Sequence, residues 1–140
     1  FVLDPTFNLN PERAKKILKF FIANAPSSMH FTFEVRAELL DEELACLFAE
    51  LNCSLQIGLQ SSDEKVLEAA GRKFDSKVFS EKVDMLAKQG VAFGLDVIIG
   101  LPFDTFDKFR KTVDFAVSLM PSNIDIFLFA NLTNKLFPIK

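Results

Sequence analysis

The sequence predicts an α/β fold in which parallel strands alternate with covering helices. Short segments rich in β-branched and aromatic residues alternate with longer segments of helical spacing, and this alternation continues along nearly the whole chain of 140 residues. Strands separated by helices pair in parallel through right-handed crossovers. Both a doubly wound sheet and a partial (βα) barrel fit this pattern, and periodicity alone does not choose between them.

The strands are predicted from local composition. The segment "HFTFEVR" alternates apolar and polar residues. The segment "VAFGLDVIIGLP" is a nearly continuous apolar run, as expected for a strand buried on both faces. The predicted strands, in chain order, are Phe1–Asp4, His30–Arg36, Ser54–Gln60, Val91–Pro102 and Asn123–Asn131.

The helices are predicted from apolar spacing and from capping residues. Asn10 is the expected N-cap of the first helix, with Pro11 at its first position. Gly90 is placed as a C-cap. We predict one domain over residues 1–131 and expect the tail, 132–140, to be partly disordered. The predicted helices are Asn10–Ala25, Asp41–Leu51, Ser62–Gly71, Ser76–Gly90 and Thr105–Met120.

Charge and hydropathy exclude several classes of function. The formal net charge is −3 with acids and bases interspersed, so nucleic-acid binding through a basic surface is not predicted. No apolar run approaches the roughly 20 residues of a membrane span, and Phe1 does not open a signal peptide. We therefore expect a cytoplasmic protein without membrane contact.

Cysteine and histidine usage excludes most metal sites. Cys46 and Cys53 are seven residues apart and form no metal-binding spacing, so we expect two buried thiols in a reducing compartment. His30 is the only histidine. No Ser-His-Asp or Cys-His pair is available, no phosphate loop is present, and we predict no catalytic or metal-ligating side chain.

Polar residues recur where the predicted strands end, which is where parallel α/β folds bind ligands. Asp96 lies within an apolar run and needs polar partners if it is buried. Gln60, at the end of another apolar strand, would need polar partners for the same reason. For other positions a structural role competes, because Asp4 and Ser61 could cap helices and Glu34 could lie on an exposed strand face. The candidates near this edge are Asp4, Asn8, Glu34, Gln60, Ser61, Asp96, Gly100 and Leu101.

Four motifs in order resemble the core of the radical S-adenosylmethionine superfamily. They are "FVLDPTFNLNPERAKKIL", "FTFEVRAELL", "LQIGLQSSDEKVLEAAGR" and "GLDVIIGLPFDTFDKFRKTVDFA". The similarity is greatest to the branch containing oxygen-independent coproporphyrinogen dehydrogenase and cobalamin-binding radical enzymes. The resemblance implies a partial (βα) barrel, comprising the second to sixth strand units, with S-adenosylmethionine bound across the strand ends.

The resemblance also implies roles for individual residues. Gln60, with Ser61 beside it, and Asp96 would hold the ribose hydroxyls, and Glu34 would contact the methionyl or ribose part. Arg72 would pair with the methionyl carboxylate, after Gly71 ends the preceding helix. A structural alternative is that Gly71 is only a C-cap and Arg72 is solvated. The segment Ile98–Leu101 would line the adenine, with Gly100 allowing close approach, and Asp4 and Asn8 would lie near the amino group.

The chain departs from the family pattern because it has no CxxxCxxC loop for a [4Fe–4S] cluster. We therefore expect a fragment of an oxidoreductase or methyltransferase that is inactive by itself, with the cluster loop, and a cobalamin domain where one exists, lying upstream. An exposed edge at the first strand predicts homodimerisation. The alternatives are a non-catalytic α/β module derived from such a barrel, and an unrelated barrel enzyme acting on a phosphorylated or sugar substrate. The small-molecule substrate is not indicated by the sequence.

Overall fold

A computed structural model describes residues 1–130, which form one sheet of four parallel strands with helices packed against it. Short 3-10 turns lie at Phe7–Leu9 and Ala37–Leu39. None of the helices within residues 1–130 is long and apolar enough to cross a membrane. The elements, in chain order, are α1 (Pro11–Asn24), β1 (Phe31–Val35), α2 (Glu42–Glu50), β2 (Cys53–Gln60), α3 (Glu64–Ala69), α4 (Ser76–Lys88), β3 (Ala92–Ile99), α5 (Phe106–Ser118) and β4 (Asn123–Leu128).

The strand order β1-β2-β3-β4 decides between the two predicted architectures. Each crossover moves one strand further in the same direction, so right-handed crossovers place all the helices on one face of the sheet. A doubly wound sheet would instead need the strand order to reverse at a switch point. The described part of the chain is therefore a partial (βα) barrel, as one of the two predicted alternatives requires.

Alternation along the strands gives the sheet one apolar and one polar face. On β2 the side chains of Leu55, Ile57 and Leu59 are buried, whereas those of Gln56 and Gln60 are only half-buried. The register of β1, β2 and β3 keeps this division, because Glu34 pairs with Gln56 and Gly58 pairs with Asp96. The apolar face therefore meets the helices, and the polar face is the inner surface of the partial barrel.

Phenylalanine rings form the centre of the core between sheet and helices. Phe33 on β1 is fully buried, and its ring centroid lies 4.6 Å from that of Phe7 and 5.5 Å from that of Phe48. Leu18 of α1 and Leu44 of α2 are buried in the same cluster. This arrangement accounts for part of the chain's 17 phenylalanines.

The predicted helix ends agree with the structure. Asn10 accepts a hydrogen bond from the backbone N–H of Arg13 at 3.0 Å, and Pro11 opens α1. Gly90 follows α4 with φ +73°, a left-handed conformation that favours glycine. These ends are set by interactions within a few residues, which is why the sequence predicts them.

The prediction of a strand at Phe1–Asp4 is wrong. The Val2 N–H donates to the Thr32 carbonyl at 2.9 Å, but the described residues form no regular ladder there. Pro5 has no N–H, and the Asp4 N–H turns back to the Val2 carbonyl at 2.8 Å, so the extended segment is too short. Phe1 and Leu3 are exposed beside β1, and dimerisation through this edge stays a prediction.

Three further predictions need correction or lie beyond the described residues. The strand at Asp96 is not buried on both faces, because the helices cover one face and Asp96 and Ile98 on the other face are half-buried. Cys46 is exposed, whereas Cys53 is buried and burial raises the pKa of its thiol to about 12. The last strand ends at Leu128, and the predicted tail lies outside the described residues.

We expect Phe33→Ala to lower the free energy of unfolding by about 3–5 kcal/mol, because it leaves a cavity among buried rings. Urea unfolding followed by circular dichroism measures this change. Phe20→Ala is the matched control, since Phe20 is 63% exposed on α1, and it should change stability by less than about 0.5 kcal/mol. Equal effects of the two substitutions would contradict the assigned core.

Candidate functional site

A polar cavity of about 250 Å³ lies where the carboxyl ends of the strands meet the polar face. It brings together four of the residues singled out in the sequence, from three strands and one loop. Glu34 comes from β1, Gln60 from the end of β2, Asp96 from β3, and Arg72 from the loop after α3. With Arg36 and Gln56, which line the same cavity, the arrangement contains two cations, two carboxyl groups and two amides, which suits a ligand with both acidic and hydroxyl groups.

Arg72 reaches the cavity because α3 ends in a Schellman motif. The N–H of Gly71 donates to the Glu68 carbonyl at 2.9 Å, and the N–H of Arg72 donates to the Leu67 carbonyl at 2.8 Å. Gly71 has φ +73°, which turns the chain back towards β2. The predicted C-cap and the placement of Arg72 at the cavity are therefore parts of one local structure.

The guanidinium of Arg72 is mostly buried and incompletely paired. Its Nη2 donates weakly to the Gly58 carbonyl at 3.4 Å and lies 3.8 Å from Glu38 Oε1. Its Nε is buried and has no hydrogen-bond partner among the described residues. Burial lowers the pKa of Arg72, and the nearby Glu38 carboxylate opposes this. A buried donor without a partner is costly, so the site fits an acceptor such as a carboxylate.

Gln60 lies at an irregularity that ends β2. The pairing register shifts between Gly58 and Gln60, and Gln60 has φ +64°, a conformation uncommon outside glycine. A Cβ at Gly58 would lie 3.8 Å from Gln60 Nε2 and 3.8 Å from Arg72 Nη1. The bulge therefore directs the Gln60 amide towards the same space as the Arg72 guanidinium, on the two sides of Gly58.

Asp96 carries a carboxylate in an unfavourable environment. Burial raises its pKa, and the carboxylates of Asp125 and Glu34 raise it further, whereas a hydrogen bond from Gln56 lowers it. No hydrogen bond from the described residues reaches its Oδ2. One carboxylate oxygen is therefore free to accept a hydroxyl donor from a ligand.

The other polar candidates do not line this cavity. Asn8 is fully buried: its Nδ2 donates to the Arg36 carbonyl and its Oδ1 accepts from the Arg36 N–H, both at 2.9 Å. Asp4 is paired with Arg13 and accepts from the Thr6 N–H, and the Arg13 guanidinium lowers the pKa of Asp4. Both groups thus have partners within the protein, and their contact with the amino group of the cofactor stays a prediction.

Ser61 is also occupied by the protein. It is buried, its Oγ lies 3.4 Å from Thr112 Oγ1, and it accepts the Asp63 N–H at 3.1 Å. The N-cap of α3 is Asp63, which accepts from the Val66 N–H, so the expected capping role of Ser61 is also corrected. Ser61 therefore joins the loop after β2 to α5.

The three expected adenine-lining residues differ in exposure. Ile98 is half-buried two residues after Asp96, on the same face of β3. Gly100 is exposed with φ +85°. Leu101 is buried, and its carbonyl accepts the Asp104 N–H at 3.0 Å in a turn. The structure thus leaves Ile98 and Gly100 accessible, whereas the Leu101 side chain is withdrawn.

The sequence reasoning missed two residues of the polar face. Gln56 lies on the cavity wall, and Asp125 lies in register with Asp96. The signal was present, because Ser54, Gln56 and Gln60 are spaced by even numbers along β2 and must share one face. Reading only the strand ends overlooked residues deeper along the same face.

The residues present do not fit an iron–sulfur cluster. The sequence has two cysteines, and the structure leaves one exposed on α2 and the other buried at the start of β2. Within residues 1–130, no group of three His, Cys, Asp or Glu side chains is placed to hold a metal ion. A thiolate-ligated cluster needs more cysteines than this chain supplies.

Comparison with known proteins identifies the family. The profile of the Radical SAM superfamily matches residues 1–116. The chain belongs to the radical SAM superfamily. This family uses S-adenosylmethionine and a [4Fe–4S] cluster. The resemblance carried by the sequence motifs is thereby confirmed.

Curated relatives of this radical SAM chain include two types of enzyme. The tRNA-2-methylthio-N(6)-dimethylallyladenosine synthase of Desulfosudis oleivorans is 30% identical over 97 residues, covering 66% of this chain and 21% of that protein. The anaerobic coproporphyrinogen III oxidase 1 of Cereibacter sphaeroides is 27% identical over 128 residues, covering 89% of this chain and 28% of that protein. The chain therefore spans 21% to 28% of the length of these relatives.

Two solved structures share the fold. The radical S-adenosylmethionine methyltransferase TsrM from Kitasatospora setae, determined with cobalamin and a [4Fe-4S] cluster bound, superimposes with a TM-score of 0.77 at 20% identity, covering 89% of this chain and 26% of that one. Coproporphyrinogen III oxidase (HemN) from Escherichia coli gives a TM-score of 0.76 at 22% identity, with coverage of 89% and 30%. Both support the partial radical SAM barrel.

We expect Asn8→Ala to lower the free energy of unfolding by about 1–3 kcal/mol, because it leaves the Arg36 N–H unpaired and removes one of the two hydrogen bonds to the Arg36 carbonyl, which also accepts from the Leu39 N–H. Urea unfolding measures this, with the exposed Asn24→Ala as the matched control. Unchanged stability of Asn8→Ala, combined with weakened binding of S-adenosylmethionine, would support the ligand-binding role that the sequence suggested for Asn8.

Proposed function

We propose that this chain is part of the catalytic domain of a radical SAM oxidoreductase or methyltransferase and that its polar cavity binds S-adenosylmethionine. The observation that carries the proposal is the buried, unpartnered Nε of Arg72 beside the half-buried carboxylate of Asp96. These two groups match the opposite ends of the cofactor, a carboxylate and a ribose diol.

Arg72 would hold the methionyl carboxylate of the cofactor. A guanidinium presents several N–H donors in a planar fork, and its Nε–H and one Nη–H can donate together to two carboxylate oxygens. Glu38 lies close enough to balance the charge of Arg72 but leaves its Nε unpaired. The ligand would therefore gain an ion pair in a site where water is partly excluded.

Asp96 and Gln60 would bind the ribose hydroxyls. The free Oδ2 of Asp96 can accept one hydroxyl donor, and the Gln60 amide can both donate and accept. Glu34 faces the same cavity from β1 and would contact the methionyl or ribose part, while Ile98 would contact the adenine through its apolar surface. These residues bind and orient the cofactor, and none of them transfers a proton or an electron in this proposal.

The redox part of the reaction would depend on residues outside this chain. In the family, the bound cofactor supplies a carbon-centred radical when the cluster reduces it. Because the cysteines here do not fit a cluster, we infer that the isolated chain binds the cofactor but does not cleave it. Whether the complete protein is an oxidoreductase or a methyltransferase would follow from its substrate-binding segments and from any cobalamin domain.

We expect S-adenosylmethionine to bind this chain and Arg72→Ala to weaken binding by more than about 30-fold, since removing one member of a desolvated charge pair costs about 2–5 kcal/mol. Asp96→Asn should also weaken binding, because an amide has a single oxygen and cannot accept the Gln56 N–H on one oxygen and a ribose hydroxyl on another. Isothermal titration calorimetry measures both. Arg110→Ala and Asp114→Asn on α5 are the controls, because both residues are exposed and far from the cavity lining.

The same titration has a predicted pH dependence. The ligand binds the ionised form of Asp96, so affinity falls as the pH drops through the pKa of that group. Because burial raises this pKa, the loss should begin above the range of an exposed aspartate, about 3.9. Affinity that is unaffected by Arg72→Ala and Asp96→Asn would refute this site assignment.

The iron–sulfur part of the proposal has a separate test in the source gene. We expect coding sequence upstream of Phe1 to contain three cysteines spaced CxxxCxxC, within roughly one βα unit of about 20–50 residues. Sequencing that region checks this directly. An upstream strand without these cysteines would favour the alternative of a non-catalytic module that retains a binding cavity.

A further inference from the structure

A row of amide side chains lies directly behind the carboxylates of the polar face. The row follows the pairing register from Gln56 on β2, past Gly94 on β3, to Asn123 on β4. The next row towards the strand ends contains Gly58, Asp96 and Asp125. Amides and carboxylates therefore occupy neighbouring layers of the inner surface.

Gln56 joins the two layers. Its Nε2 donates to Asp96 Oδ1 and, at 2.9 Å, to Asp125 Oδ2. A primary amide has two N–H groups, so these two bonds use its whole donor capacity. Asn123 Nδ2 donates to the same Asp125 Oδ2, also at 2.9 Å. Two carboxylates on adjacent strands are thus held by neutral donors.

Gly94 provides the space for this arrangement. A Cβ at Gly94 would lie 2.5 Å from Gln56 Oε1 and 2.4 Å from Asn123 Oδ1, closer than real contacts allow. The two amides therefore occupy the volume that any larger residue at Gly94 would need. The glycine on β3 and the glutamine on β2 are complementary parts of one packing arrangement.

The charges around Asp96 make such a donor necessary. Glu34 approaches from β1 and Asp125 from β4, while the cations that line the cavity are Arg36 and Arg72. Both arginines lie beside Glu38, which neutralises part of their charge. Without the Gln56 amide, the Asp96 carboxylate would face two other carboxylates with no hydrogen-bond donor from the described residues.

We propose that Gln56 is a positioning residue that fixes Asp96 Oδ1, so that Oδ2 is presented to the ribose of S-adenosylmethionine. This inference rests on the proposed function of the cavity. Gln56 lines the cavity, but both N–H groups of its amide are used by Asp96 and Asp125. It acts through Asp96, and Asp125 anchors the second N–H of its amide so that the side chain keeps one orientation.

Gln56→Met tests the proposal, because methionine has a similar length and no N–H. We expect the variant to bind S-adenosylmethionine at least about tenfold more weakly near neutral pH, from the loss of a hydrogen bond to a charged group. We also expect the pH at which binding is lost to shift upwards. Gln89→Met is the matched control, because Gln89 is an exposed residue at the end of α4.

A second measurement does not depend on the cofactor. A ¹³C NMR titration of the aspartate Cγ atoms reports the pKa of Asp96 directly, and it should be higher in Gln56→Met than in the wild type. Gln56→Glu should raise this pKa further, because it adds a third carboxylate beside Asp96. A loss of packing alone would weaken binding without moving the pKa of Asp96. The NMR titration therefore separates a positioning role of Gln56 from a purely structural one.

The outcomes distinguish this inference from the proposed function. If the wild type binds S-adenosylmethionine and Asp96→Asn weakens binding, but Gln56→Met changes neither affinity nor the pKa of Asp96, the positioning role is overturned and the site assignment stands. If the wild type does not bind S-adenosylmethionine, the proposed function fails, and so does the presentation of Oδ2 to a ribose. The NMR titration would then decide only whether the Gln56 hydrogen bond lowers the pKa of Asp96.

Discussion

The division of each strand into an apolar and a polar side is the constraint on which the rest of this structure depends. Four strands follow one another in one direction, so every helix packs on the same face and every polar strand residue is turned to the other. Stability and ligand binding are therefore assigned to opposite faces of one sheet. Phe33 and Asp96 illustrate the separation: one is enclosed by rings under the helices, and the other faces the inner surface.

The polar face contains charged groups whose burial is unfavourable for each group by itself. Asp96 is a half-buried carboxylate near two others, and Arg72 is a mostly buried cation with an unpaired Nε. Neutral groups limit the free-energy cost of burying these charges, because the Gln56 amide donates to Asp96 and the Gly58 carbonyl accepts from Arg72. Gly94 makes this possible, since it leaves room for the Gln56 amide.

The sequence predicted what depends on neighbouring residues and failed where distant contacts decide. Helix ends such as Asn10 and Gly90 follow from local hydrogen bonds. Position near the strand ends selected Gln60 and Asp96, and the resemblance to the family added Arg72 to the same cavity. Asn8 looked like a ligand because it is polar and near a predicted strand end. Its amide instead pairs with the backbone of Arg36, 28 residues away, and no local pattern encodes that contact. Gln56 was overlooked because its partners lie on two other strands.

The cavity contains a hydrogen-bond donor, the Arg72 Nε, and an acceptor, the Asp96 Oδ2, that have no partner among the described residues. Arg72 and Asp96 carry opposite charges and line the same space but do not bond to each other. Asp96 accepts from the Gln56 amide, whereas Arg72 donates to the Gly58 carbonyl and lies near Glu38. An unsatisfied buried donor costs about 1–3 kcal/mol, and a ligand that carries both a carboxylate and hydroxyls would satisfy the Arg72 Nε and the Asp96 Oδ2 together. Binding would then supply the hydrogen bonds that these two groups lack in the folded protein. By mass action the ligand would stabilise the folded chain. Gln60 adopts a strained backbone conformation at the β-bulge beside the same cavity. Such strain persists at a binding position when the surrounding structure over-determines it.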